Sequence, residues 1–374
     1  MRPSPASRHL DLGPDHPTRP GLVEIVAHHD GQRLTRAHLE IGHLHRGAEK
    51  LFEVRDLRQI PVLASRHDWQ APFIGELGAC VVIEKALGLE TPPRATWLRT
   101  GLCEFSRAMS HLAFLSWLPH RSGDSPLSQR IHNLLDGGHL LWQRLTGHRV
   151  HPMTCRVGGI DCFPDDRWWD DLTDWFGGVA TTGEDLAATL ASPRMAELTV
   201  GTAVIDAEMV DTHGLTGPVA RASGVDVDLR RGHHLAHDQL AFPPDPPLPA
   251  APSGPTSGDA AARLWHLIAD LAVSADLVAQ VRRGLPELEG PLAARLPSVV
   301  KAPRGITWSA LEAPWGQAGY LLVSRGERVP WRLALRTPTF ANVQALEAVL
   351  PGTELDRLDA AIASLGWTLG DLDK

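Results

Sequence analysis

The chain is 374 residues long, carries a formal charge of −8, and is 43% hydrophobic against 21% charged. That length supports a large buried core and more than one lobe, and the mildly acidic balance gives no general nucleic-acid signature. The four cysteines, Cys80, Cys103, Cys155 and Cys162, form no C-x-x-C pair and no even framework. This argues against a disulfide scaffold or a zinc ribbon and for a reducing compartment.

Met1 to Pro20 is rich in Pro, Arg and His and lacks the apolar core of an export signal, so a cytoplasmic protein is expected. No stretch of about 18 uninterrupted apolar residues occurs, so any membrane connection is expected to be peripheral and made through partners. Leu22 to Ile25 and the polar, Gly-containing stretch to Leu34 read as a short antiparallel hairpin. Apolar residues recur at helical spacing over Phe73–Leu87, Arg94–Leu118 and Leu127–Leu145, with Pro92-Pro93 as a break before the second run. Around Gly158-Gly159 a turn leads into a helical stretch rich in Trp and Asp, and Leu198 to Val204 reads as a strand. Phe242 to Gly258, dense in Pro, Ala, Ser and Gly, reads as an extended linker. Beyond it Leu264, Leu267, Ile268 and Leu271 mark one face of an amphipathic helix, and Gly319–Val323 and Trp331–Leu335 read as two strands joined by a polar turn. The expected division is therefore an N-terminal β-containing segment with cofactor-facing loops (1–70), a central helical bundle (71–241), a Pro-rich linker (242–258) and a C-terminal lobe of one helix and a β-hairpin (259–374).

The segment Glu40 to Lys50 packs two histidines, an arginine and a lysine around Gly42 and Gly47, a density that permits close backbone approach to a ligand. Spacing alone favours a plainer reading, a helix start with a solvated charged face. His43 and His45, two apart, point to different faces of a helix and make a poor metal pair. His233 and His237 lie one helical turn apart, but Arg230 and Arg231 beside them repel a cation, so a solvent-exposed loop is expected there. The glycine pairs belong to no G-x-G-x-x-G or P-loop, and no G-x-S-x-G elbow is present. Residue chemistry by itself names no reaction.

A dozen collinear stretches carry a resemblance. Among them are Gly13-Pro14-Asp15-His16-Pro17, the Ile41 to Lys50 run, Ser106-Arg107 with Ser110-His111-Leu112, and Arg156-Val157-Gly158-Gly159. Others are Arg221-Ala222-Ser223-Gly224-Val225, Glu312-Ala313-Pro314 and Gly370-Asp371-Leu372-Asp373-Lys374. Over nearly its whole length the chain resembles the D subunit of bacterial NADH:quinone oxidoreductase (respiratory complex I), a relative of the [NiFe]-hydrogenase large subunit. The resemblance implies an α+β, mainly α fold, a hydrogenase-large-subunit-like bundle of long helices with small peripheral β elements. It also implies a membrane-bound complex in which the Fe–S-carrying B subunit brings a terminal [4Fe–4S] cluster against this chain and electrons pass to quinone with proton translocation. The further partners implied are the C subunit and the membrane-arm subunits. The place implied is the cytoplasmic face of the cell membrane, held peripherally. NAD, FMN, [4Fe–4S] clusters and quinone belong to the complex, and none is expected to be bound by this chain alone.

Matched position by position, Arg46, Arg66 and His151 correspond to the family's cluster-facing residues, whose bland alternatives are surface arginines and a satisfied core histidine. The quinone cavity maps onto His16, Pro20, Asp68 and Trp69. Here the sequence departs from the pattern, because Pro20 stands where the family has a histidine donor and Trp69 where it has a tyrosine. Proline donates nothing, and an indole N–H does not give up a proton as a phenol does. His16, His67 and His120 are candidate replacements. The nickel-binding cysteine pairs of the hydrogenases are absent, Arg66 to Ala71 standing in place of the first. A helical block before Glu312-Ala313-Pro314 is shortened to Lys301–Leu311. A non-catalytic scaffold of a degenerate or alternative-acceptor complex is the competing reading.

Overall fold

The computed structural model describes residues 6–10, 23–232, 234–243 and 248–374. The chain opens with an antiparallel sheet, β1 (Ala6–Leu10), β2 (Glu24–His29) and β3 (Leu34–Glu40), in that spatial order. Ile25 and Ala27 alternate inward opposite Leu39 and Ala37, the period-two pattern of a half-buried sheet. The β2–β3 turn is set by Asp30, whose carboxylate accepts from the Gln32 and Arg33 amides. Two short helices follow, α1 (Ala48–Phe52) and α2 (Ile60–Ala64), and then the long α3 (Pro72–Leu87), α4 (Pro93–Leu115) and α6 (Ser125–Thr146), with the short α5 (Trp117–Ser122) between the last two. A two-residue ladder, β4 (Cys155–Arg156) with β5 (Gly159–Ile160), precedes α7 (Asp166–Leu190). The short α8 (Pro193–Thr199), α9 (Ala207–His213) and α10 (Gly217–Ala222) lead to α11 (Ala260–Gly284). The chain finishes as a second antiparallel sheet, β6 (Gly305–Ala313), β7 (Gly316–Ser324) and β8 (Arg332–Arg336), followed by α12 (Pro338–Val349), α13 (Leu358–Ser364) and α14 (Leu369–Leu372).

The long helices begin where their sequences supply caps. Asp124, Asp165 and Asp259 accept from the Leu127, Trp168 and Ala262 amides at the starts of α6, α7 and α11, and α4 starts on Pro93. Gly101 of α4 lets α11 approach: a Cβ there would lie 3.0 Å from Val281. One turn further along α4, Phe105 stacks on Trp142 of α6 at 5.0 Å and meets Trp175 of α7 edge-on at 5.1 Å. The helix α11 is long and apolar enough to cross a membrane, and in this fold it is a core helix against α4 and α7. The described residues of 242–258 contain no helix or strand, and Pro249 accepts from the Trp265 indole at 2.9 Å.

The hairpin after Leu22, the helices over 73–87 and 127–145, the helix after Asp259 and the β7–β8 hairpin all lie where periodicity puts them. Two stretches differ. Leu198 to Val204 ends a helix, α8, because Pro193 starts one there and Met195 and Leu198 bury on its inner side, and left-handed Gly201 (φ 68°) and Ala203 (φ 49°) then turn the chain. Gly305 to Ala313, overlapping the shortened block Lys301–Leu311, is a nine-residue strand paired to β7 from Gly305↔Ser324 to Ala313↔Gly316. The edge of that strand is covered by Lys85, which donates to the Trp308 carbonyl.

Candidate functional site

Arg46 sits in the loop before α1, where Gly47 takes the left-handed conformation that ends the extended run. Its guanidinium donates to the Arg66 and His67 carbonyls at 2.9 and 3.0 Å and to the Gly370 carbonyl at 3.4 Å, and lies 5.3 Å above the Trp69 ring. The His151 Nδ1 donates to the Ser65 carbonyl at 2.9 Å. Arg66 projects outward, holding the Val62 carbonyl at 2.8 Å and touching the Met153 sulfur at 3.3 Å. Three residues spread over 105 positions of sequence therefore meet on the main chain of Ser65–His67. Met153 beside them has φ 49°, a strained value for a non-glycine residue. Burial, and then the Arg66 charge, pull the His151 imidazolium below its ordinary range, so the ring is neutral at neutral pH.

Behind this face lies a buried acid–base cluster. His67 Nδ1 is 2.7 Å from the Ala64 carbonyl and its Nε2 is 3.3 Å from Asp371 Oδ1 on α14. Burial opposes a charge on His67, but the Asp371 carboxylate outweighs it and holds the imidazole above its ordinary value. Asp68 accepts from Thr368 Oγ1 at 3.2 Å and from the Gln70 amide at 3.1 Å, and burial with the Asp371 charge pushes it up to about 6. Asp373 accepts from the Gly42 and Leu44 amides at 2.9 and 2.8 Å, tying residues 370–373 across the Arg46 loop. Trp69 is half-buried. The structure thus brings together Arg46, Arg66, His151, Asp68 and Trp69, whereas His16 and Pro20 lie outside the described residues. His120 is exposed on α5 and lines a separate groove with Asp124 and His132.

Arg66–Ala71, which the resemblance sets in place of the hydrogenases' first nickel-binding cysteine pair, packs against residues 368–373, His67 facing Asp371 and Asp68 accepting from Thr368. Their donors do not fit such a metal. Among the described residues no three His, Cys, Asp or Glu side chains are placed to hold an ion. Cys80, Cys103 and Cys155 are buried thiols whose ionisation burial suppresses.

Sequence reasoning missed a buried polar network. Glu104, Arg107 and His111 occupy one stripe of the buried middle of α4. Arg107 Nε donates to Glu104 at 3.0 Å, Arg230 joins Glu104 to Asp270 at 3.4 and 3.0 Å, and Arg221 joins Asp270 to the Glu312 carboxylate at 2.8 and 3.3 Å. Burial works against charge on Glu104 and Asp270, yet the arginines hold both well below the carboxylate range. His237, expected in a solvent-exposed loop, is buried, with Nε2 3.0 Å from Glu104; His234 is buried as well, and His233 lies outside the described residues. The cause is charge balance: Arg230, read as a repelling surface cation, is itself buried and neutralised by Asp228, Asp270 and Glu104. The signal available in sequence was a Glu-x-x-Arg-x-x-x-His series inside an otherwise apolar helix.

The chain matches the family model described as respiratory-chain NADH dehydrogenase, 49 Kd subunit, over residues 138–304 and 295–374. It is 41% identical to the second of the numbered D subunits of NADH-quinone oxidoreductase from Salinispora tropica, covering 98% of this chain and 92% of that one. It is 40% identical to the first of the numbered D subunits from Streptomyces coelicolor, covering 98% and 94%. A solved chain of the membrane-bound sulfane sulfur reductase, an archaeal respiratory membrane complex, superposes with a TM-score of 0.87 at 28% identity over 99% of this chain and 98% of that one. The α+β, mainly helical fold is thus one shared with a respiratory complex, and this chain belongs to the family of NADH-quinone oxidoreductase D subunits, the 49 kDa subunits of the respiratory-chain NADH dehydrogenase.

Proposed function

We propose that this chain forms, with an Fe–S-carrying B subunit, the junction at which electrons leave a terminal [4Fe–4S] cluster for quinone, in a peripheral arm on the cytoplasmic face of the cell membrane. The C subunit and membrane-arm subunits complete the assembly, and electron transfer is coupled there to proton translocation. NAD, FMN and the clusters serve the complex from other chains. The observation that carries this reading is the convergence of Arg46, Arg66 and His151 on one short stretch of main chain. Cations beside a cluster stabilise its reduced, more negative state, and a neutral imidazole there gains affinity for a proton when an electron arrives. His67, Asp68 and Trp69, next along the chain, then face the acceptor side. Arg46 orients the Trp69 indole from above, and Asp68 is a carboxyl that exchanges a proton near neutrality.

The test is NADH-driven reduction of a short-chain quinone by the membrane complex purified through a tag on this chain. Inhibitor-sensitive turnover with the Fe–S partner present supports the reading. A second reading, an altered acceptor, is favoured by Trp69 in place of a phenol and by the likeness to a sulfane sulfur reductase. In that case the cluster is reduced by NADH while quinone is not. A non-catalytic scaffold predicts that no acceptor is reduced at all.

A further inference from the structure

Glu76 is the fifth residue of α3, and it is fully buried. Its Oε1 accepts from the main-chain amides of Thr154 and Cys155 at 3.1 and 3.2 Å, whereas its Oε2 is buried without a partner among the described residues. A buried acid with one oxygen unsatisfied costs stability, and the explanation lies in what the other oxygen holds.

What it holds is the root of His151. That histidine precedes Thr154 by three positions, and the link between them has little freedom. His151 is restricted by the proline that follows it, Pro152 fixes its own φ, and Met153 is kept at φ 49°, a value that a methionine abandons when released. Met153 in turn sets its sulfur 3.3 Å from Arg66, and its carbonyl accepts from Arg156 at 2.7 Å. Asp161 closes the turn on itself, accepting from the Thr154 hydroxyl at 2.6 Å and donating its amide to the Thr154 carbonyl at 3.1 Å. Glu76 ties that turn to α3.

Gly75, the residue before, meets the other half of the site. A Cβ there would run into the Ala64 carbonyl oxygen and lie 3.4 Å from His67 Cε1, so a side chain would push α3 away from the end of α2. From that end the chain continues as Ser65–His67, whose carbonyls receive His151 and Arg46. Two consecutive residues of one helix thus touch both stretches whose meeting makes the candidate site.

We propose that Glu76 is a positioning residue for electron entry: through the Thr154 and Cys155 amides it seats His151 and Met153 against the Ser65–His67 main chain, with Gly75 seating that main chain on the same helix. The inference rests on the junction reading above. What Glu76 supplies is the place of the imidazole, and the influence of a side chain on a cluster depends on its distance and orientation. The role belongs to an acceptor oxygen at that point rather than to a negative charge. Burial pushes the carboxyl up to about 8, so it is largely neutral at neutral pH, and an amide of the same length presents the same oxygen.

The test is an EPR-monitored redox titration of the partner's [4Fe–4S] cluster in the purified membrane complex at about pH 6 and about pH 8, with NADH-driven turnover of a short-chain quinone measured alongside. The variants are Glu76→Gln, which keeps the oxygen, Glu76→Asp, which keeps the acid but withdraws it by one methylene, and Glu76→Leu, which removes it. In the parent and the glutamine variant the cluster potential should fall as pH rises. In the aspartate and leucine variants that pH dependence should weaken, and kcat should fall about tenfold or more at an unchanged quinone KM. The aspartate variant is the milder change and decides the matter where leucine prevents assembly. A merely structural role lowers yield and melting temperature but leaves the pH dependence as it was. A native pH dependence and turnover in the assembled aspartate or leucine variant, or their loss in the glutamine variant, overturns the positioning role and leaves the junction reading intact. A parent complex that holds the Fe–S partner yet passes no electron from its cluster to an acceptor overturns the junction reading and this inference with it.

Discussion

Arg46 is held by main-chain carbonyls rather than by a carboxylate, three of them at hydrogen-bond distance with an indole beneath. A lysine keeps the charge but cannot span two carbonyls with one planar group. Arg46→Lys should therefore lower stability by about 1–2 kcal/mol, read as a shift in the denaturant midpoint, and should loosen Trp69, read as a change in tryptophan emission. Glu76 makes a different case. Its Oε1 accepts from the Thr154 and Cys155 amides, its Oε2 is buried without a partner among the described residues, and burial pushes the carboxyl up to about 8. The folded chain thus keeps a proton that the unfolded chain releases above its ordinary value of 4.5. Stability from this group is complete below about 4.5 and is lost as pH rises through about 8. Glu76→Gln should flatten that decline, so denaturant unfolding at about pH 5 and about pH 8 should differ less than in the parent. Motif matching singles out Arg46, Arg66 and His151, but not that the Ser65–His67 carbonyls hold Arg46 and His151 beside Arg66, because a main-chain acceptor leaves no mark in side-chain identity. Glu76 went unremarked although it is an acid inside the apolar run Phe73-Ile74-Gly75-Glu76-Leu77.

The long helices were legible because periodicity, proline breaks and aspartate caps agree. Tight crossings were not, since a glycine signals freedom without naming its neighbour. Gly138 of α6 is such a crossing: a Cβ there would lie 2.1 Å from the Met109 sulfur of α4. Gly138→Val should overpack this contact and cost about 1–3 kcal/mol, seen as a lowered melting temperature with the helical signal retained. The misread stretches share one cause. In Leu198–Val204 and Gly305–Ala313 local composition is indifferent, and packing chose the state: helix where Met195 and Leu198 needed burial, strand where β7 offered a ladder.

Across the whole molecule, seven charged side chains are committed to one buried network linking α4, α10, α11 and β6 with the segment around Asp228 and Arg230. Removing one member strands its partners, so Arg107→Met should destabilise by about 3–5 kcal/mol, measurable as a large drop in the unfolding midpoint. The same arrangement explains why charge reading misplaced His237. A cation count along the sequence sees Arg230 and Arg231, whereas the fold brings Glu104 from 126 positions away to meet Arg230. Distance along the chain matters at the other end as well. The Gly42 amide is bound by Asp373, 331 positions later, and the Arg46 guanidinium meets the Gly370 carbonyl, 324 positions later. During synthesis, then, the Arg46 loop leaves the ribosome long before the residues that fasten it exist. Until Gly370 to Asp373 follow, His67 and Asp68 are without the wall that carries Asp371, and Thr368 is not yet followed by the residues that close over it. Order of manufacture thereby becomes order of folding: the later-made strap sets the earliest moment at which the surface around Arg46 is complete.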